Sequence, residues 1–299
     1  MHHISRKVLL FVCLCIAAVS ARGAGAIAAA DLRAMQVMED SLNTTADSMY
    51  GAFLPDTRIV YSERFARQLV KALRVPNSWT YEFPKLSNRI HILYPEDKAF
   101  RIFNWDIVPS DLTRRYYGAI QMPAEQLKLY GLVDNSLELG KAAEDSVLTR
   151  GKWFGCIYYR IKMAEVEGQK VYTLFGMNAA GRLSNRKILD PLTFTEDGPV
   201  FGAPVFNVRS EAHPTERVNR FILEFKKDVQ VALNWDTERG NIYFDNLVSQ
   251  VNDPGRKYTF VPSGQMDGFR WNGQQWDYMQ NIVTIVPRAD GQAPIGEER

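Results

Sequence analysis

The chain has 299 residues, with 36 Lys and Arg against 34 Asp and Glu, 46% hydrophobic and 12% aromatic residues, and three cysteines. These proportions describe a globular chain and exclude a disordered segment, a collagen or a disulfide scaffold. A chain of this length buries roughly three quarters of its unfolded surface, enough for a sizeable core.

The first 26 residues read as an export signal. Arg6 and Lys7 form a charged start, and Val8 to Val19 is an unbroken apolar run of 12 residues, too short to span a bilayer. Of two small-residue cleavage sites, Ala18-Val19-Ser20 and Ala24-Gly25-Ala26, the second fits the Ala-x-Ala preference and places cleavage after Ala26. Val12 and Leu14 precede Cys13 and Cys15 where a lipid attachment site wants a small residue, so no lipid anchor is expected. Removing residues 1 to 26 leaves 33 basic residues against 34 acidic ones, a net charge of −1. That balance has no electrostatic footprint for nucleic acid or an anionic membrane. The expectation is a periplasmic or secreted protein with no stable membrane span once the signal is cut, keeping only Cys156, His91 and His213 of its cysteines and histidines.

Residues 27 to 76 form a helical segment. Met38, Leu42, Ala46, Met49 and Phe53 recur at helical spacing behind Asp31 as N-cap. A second helix is expected over residues 62 to 74, capped by Ser62, with Phe65, Leu69, Val70 and Leu73 opposite a solvated face of Arg64, Arg67, Lys71 and Arg74. Val75-Pro76 ends it.

From residue 77 to 287 the period changes to two, and 30 of the 35 aromatic residues lie from Trp79 onward, so this is the strand-rich domain. Hairpins are predicted around Pro95-Glu96-Asp97-Lys98, around the longer turn Glu165 to Gly168, and between Arg220 to Lys226 and Asn241 to Leu247 across Asp236, Glu238 and Gly240. Asn272-Gly273 predicts a type I′ turn that sets Phe269 opposite Trp276 and gathers Phe269, Trp271, Trp276 and Tyr278 on one face. With further runs at 114–121, 127–133, 186–195, 199–206 and 257–262, about 13 to 15 short strands are expected. The fold class is mostly β (α+β): N-terminal helices followed by a large antiparallel β meander, as a sandwich, a barrel or a curled sheet. Residues 288 to 299 read as a loose tail.

Chemistry is harder to find. Two histidines, no Gly-x-Ser-x-Gly elbow and a lone Cys156 inside an apolar strand argue against a nucleophilic enzyme. His-Glu-x-x-His and paired cysteines are absent, Asp236 to Gly240 lacks the closing glutamate of a calcium loop, and Gly198 to Gly202 is stiffened by proline, so no metal or cofactor is expected. Asp106, Asp190, Asp228, Asp236, Asp245 and Asp267 sit at predicted strand ends or turns, where aspartates cap the backbone but where a carboxylate pair for hydrolysis could also assemble.

Six stretches together, KAFRIFNW (98–105), RRYYGAIQM (114–122), RKILDPLTF (186–194), GPVFGAPVF (198–206), YFDNL (243–247) and FVPSGQMDGFRWNGQQW (260–276), resemble a group of exported Bacteroidetes proteins with no assigned function. The resemblance spans residues 79 to 280 and implies a Gram-negative envelope setting, with no catalytic residue carried over. Two functions follow. The leading one is a non-enzymatic binding or structural module that meets an envelope protein or glycan through Trp105, Tyr158, Trp271, Trp276 and Asp267. The alternative is a hydrolase using two carboxylates on a glycan or other envelope substrate.

Overall fold

A computed structural model describes residues 25–110, 113–208 and 216–283. Most of the stretch expected to be an export signal, His213 and the expected tail at 288–299 lie outside these residues. Among the described residues the fold is mostly β, with N-terminal helices followed by antiparallel sheets that do not close into a barrel.

Helix α1 (Ala29–Gly51) and helix α2 (Pro55–Leu73) form an antiparallel pair. The stripe on α1 buries Met35, Leu42, Ala46 and Met49, but Phe53 lies beyond the helix end and is 90% exposed. Asp31 falls in the first turn and Ala28 is the N-cap. The second helix starts seven residues earlier than expected because Pro55, whose fixed φ suits the first helical position, opens it. Ser62 is therefore interior and buried, and its hydroxyl accepts the Trp105 indole N–H at 3.2 Å.

Among the described residues the strands build sheets of four, six and six strands, each containing a four-stranded antiparallel meander. The first sheet runs β1 (His91–Leu93), β2 (Arg101–Ser110), β3 (Thr113–Met122) and β4 (Lys128–Leu132). A one-turn helix α3 (Ser136–Leu139) leads to the second sheet: β5 (Leu148–Thr149), β6 (Ile157–Val166), β7 (Gln169–Asn178), β8 (Ser184–Thr195) and β9 (Gly198–Phe201), in order β5-β9-β8-β7-β6. Strand β10 (Phe206–Val208) and strand β11 (Glu216–Val218) edge the third sheet, and β12 (Phe221–Lys226) joins β8 of the second. The third sheet is completed by β13 (Leu233–Asp236), β14 (Asn241–Ser249), β15 (Phe260–Trp271) and β16 (Trp276–Val283), with β10 and β16 parallel.

Period-two alternation separates the layers. On β2, Phe103, Trp105 and Ile107 face the helices while Ile102 faces the second sheet. On β7, Leu174 joins that same interface and Phe175 turns to the third sheet. The order of layers is thus helices, first sheet, second sheet, third sheet, with one apolar core in each of the three gaps.

Three expected hairpins change in detail. The turn at Glu167-Gly168 has two residues, with φ of 51° and 80°, so the type I′ geometry forms here. At Asn272-Gly273 only the glycine has positive φ, and Asn272 Oδ1 accepts the N–H groups of Gln274 and Gln275 at 2.9 and 3.0 Å. That side-chain turn widens the loop to four residues and pairs Trp271 with Trp276 and Phe269 with Tyr278. The shift is two residues, so the four aromatics keep their common face. The Asp236 to Gly240 turn joins β13 to β14, and Phe221–Lys226 pairs with β8 instead.

Candidate functional site

The second and third sheets part on one side into a cavity of about 410 Å³. Its walls are Phe221, Ile222 and Leu223 of β12, Phe244 and Leu247 of β14, Phe260 of β15 and Tyr278 of β16. Arg186 and Glu224 lie on the second-sheet side, Asp245, Asn246 and Asp267 on the third, and Gly140 and Glu144 also line it. A wider depression of about 660 Å³ at the α1–α2 corner around Phe53 and Leu54 is more open to solvent than this cavity.

Two irregularities in strand pairing open the third sheet at this point. The β14–β15 register shifts between Asp245 and Leu247, and the β15–β16 register shifts between Met266 and Gly268. Bulges re-aim side chains and leave backbone groups without ladder partners. Asp267 sits between them, only 1% exposed, and its carboxylate satisfies what they free. Its Oδ1 accepts the Asn281 N–H at 3.0 Å, at a residue with φ of 53°. Its Oδ2 accepts from Asn246 Nδ2 at 2.7 Å and from the Tyr278 hydroxyl. Ser263 donates to Asn246 Oδ1 at 2.9 Å, fixing the amide so that its nitrogen points at Asp267. Burial and the neighbouring Asp267 raise the Tyr278 pKa, so the phenol stays a donor. Gly268 is required beside it: a Cβ there would stand 2.4 Å from the Ile242 carbonyl oxygen.

The other residues expected to bind do not meet at this site. Trp105 is buried under the helices, stacked on Tyr117 at 5.4 Å. Tyr158 is sealed between the first and second sheets. Trp276 is buried and donates its indole N–H to Thr173 at 3.2 Å, while Trp271 is half-buried against it. These four rings pack in three different cores and form no common exposed surface. Of the five, only Asp267 lines the cavity.

Tyr158 belongs to a second polar cluster. It takes the Trp153 indole N–H at 2.8 Å and donates to Asp190 at 2.7 Å, and Arg220 Nε donates to the other Asp190 oxygen at 2.7 Å. Burial pushes the Asp190 pKa up against the opposing pull of Arg220 and Tyr158, and burial likewise pushes the nearby Cys156 thiol up. Asp190 and Arg220 are both fully buried.

Comparison with protein-family models, curated proteins and solved structures finds no match. Among the described residues, no group of three or more His, Cys, Asp or Glu could hold a metal ion, and no helix is long and apolar enough to cross a membrane. Arg186, Glu224, Asn246, Lys257 and Phe260 line the cavity and were not singled out by sequence reasoning. One signal was present: Asp245-Asn246 sets two polar residues side by side within YFDNL, which interrupts strict alternation as a bulge does.

Proposed function

We propose that the protein is an exported binding module of the cell envelope that holds a small amphipathic ligand in the cavity between its second and third sheets. The observation that carries this reading is the cavity itself. Its volume of about 410 Å³ falls within the roughly 300–1,000 Å³ of small-ligand sites, and its aromatic walls converge on a few fixed polar groups as such sites do. Export rests on the charged start, apolar run and Ala-x-Ala site of residues 1 to 26, and on the resemblance to exported Bacteroidetes proteins. The reading moves the binding surface from exposed aromatics to the cavity between the two sheets.

A hydrolase has one observation in its favour, since Asp245 and Asp267 line the same cavity. Burial raises the pKa of the Asp190 carboxyl, but Asp190 lies sealed in the other interface.

The test is a thermal-shift and calorimetric panel of neutral mono- and disaccharides, aromatic amines, alcohols and carboxylates. At least one member should stabilise the protein, and Leu247→Trp, which fills the cavity, should abolish that stabilisation. The reading fails if no member binds, or if binding is indifferent to Leu247→Trp. Bond cleavage in a bound saccharide would replace it with the hydrolase.

A further inference from the structure

Six charged side chains line the cavity: Glu144, Arg186, Glu224, Asp245, Lys257 and Asp267. Arg186 Nε lies 3.1 Å from Glu224 Oε2, and the two charges cancel. Among the described lining residues, Lys257, with its ammonium 4.5 Å above the Phe260 ring, then faces the carboxylates of Asp245 and Asp267, while Glu144 makes contacts of its own. Asp267 is the most buried of the acids, and its hydrogen-bond partners are neutral donors: a phenol, an amide and a backbone N–H. Three donors hold a carboxylate in place without neutralising its charge. Asp245 is likewise held by a neutral group, the Ala232 N–H at 2.6 Å.

Among the described lining residues Asp245 and Asp267 outnumber Lys257, so the cavity is net negative, and its walls include the rings of Phe221, Phe244, Phe260 and Tyr278. Low-dielectric walls strengthen such a field, and ring faces attract cations as well as apolar groups. An anionic ligand would meet the Asp267 carboxylate, which its neutral donors leave charged. A neutral one would leave the field unused.

We infer that the ligand is an amphipathic cation, a protonated amine or quaternary ammonium carried on an apolar body, with the charge near Asp267 and Asp245 and the body between Phe244, Phe260 and Phe221. The inference rests on the binding function proposed above and deepens it.

Three probes share one body and differ in charge: phenethylamine, 2-phenylethanol and phenylacetate. Calorimetric titration of the protein should rank them in that order, the amine binding about tenfold tighter than the alcohol, a difference of about 1.4 kcal/mol. Asp267→Asn should bring the amine to within about threefold of the alcohol. Asp245→Asn, at a half-buried position, should reduce the same advantage, and it serves where Asp267→Asn does not fold. The inference is overturned if the alcohol or the acid binds as tightly as the amine, or if the amine's advantage survives both substitutions. Binding of a neutral sugar or the alcohol with no preference for the amine sinks this inference alone. Absence of binding by every probe and every panel member sinks the binding function with it.

Discussion

Two interfaces of the same molecule each bury an aspartate, and each compensates it differently. Between the first and second sheets, Asp190 is bonded to Arg220 at 2.7 Å and to Tyr158 at 2.7 Å, and apolar rings seal the cluster from water. Between the second and third sheets, Asp267 receives only neutral donors and borders an open cavity. An ion pair that cancels itself has nothing left to offer a ligand. A carboxylate held by neutral groups keeps its field, and this is why the second interface reads as the site. The two are also linked mechanically. Arg220 donates through its guanidinium to the Ala143 carbonyl and through its backbone to the Glu144 carbonyl at 3.0 Å, so the sealed cluster anchors a segment that lines the cavity.

The largest effect should come from breaking the sealed pair. Asp190→Asn leaves a guanidinium buried without its counter-charge and should cost about 3–5 kcal/mol in urea denaturation. Replacing both partners, as Asp190→Leu with Arg220→Met, should recover most of that loss, because buried pairs exchange for apolar groups at little net cost. If the double variant is no better than the single, charge compensation is the wrong account of this cluster. Gly268→Ala comes next. Its methyl would collide with the Ile242 carbonyl, which belongs to the rigid ladder, so a loss of about 1–3 kcal/mol is expected. Binding of any cavity ligand should weaken in the same variant as Asp267 is displaced. Asp267→Asn should be milder, about 1–2 kcal/mol, since one of its two terminal atoms still accepts while the other sets donor against donor. A stability loss for Asp267→Asn as large as that for Asp190→Asn would erase the contrast between the two sites.

How much of this was legible beforehand depends on the range of the cause. The α1 stripe from Leu42 to Met49 follows from spacing alone, and the common face of Phe269, Trp271, Trp276 and Tyr278 survives a two-residue register error because strand alternation has period two. Ser62 misled because a serine before an apolar stripe resembles a cap, whereas Pro55 had already opened the helix. The choice between Asn272-Gly273 and Glu167-Gly168 for the tight turn was decided by the Asn272 side chain, which satisfied two loop N–H groups. Asp267 was visible as a lone acid beside aromatics, but its role was not. That role needs Ser263, Asn246 and Asn281 around two register shifts, and it needs β12 delivered from the second sheet to face β14. Those are tertiary facts about strand partners, and local pattern does not carry them.

A third carboxylate, at the edge of the first interface, supplies the low end of the comparison. Asp97 in the β1–β2 turn accepts from Lys170 Nζ at 2.7 Å, from the Tyr172 hydroxyl at 3.0 Å and from the Ala99 N–H at 3.1 Å. Partial burial works against its ionisation, but the bonds from Lys170, Ala99 and Tyr172 outweigh it and hold the carboxyl below the ordinary carboxylate range. A depressed folded-state pKa contributes stability that is complete above the unfolded value and lost as pH falls through the folded one. The stability of the protein relative to Asp97→Asn should therefore be constant near neutrality and shrink as the solution is acidified below the ordinary carboxylate range. Lys170 is half exposed, so the whole effect should be about 1 kcal/mol or less and should shrink further in high salt. Denaturation of the two proteins across the acid range measures it. A difference that grew on acidification would mean that the Asp97 carboxylate is destabilised by its setting, and would place it with Asp190, whose ionisation burial opposes.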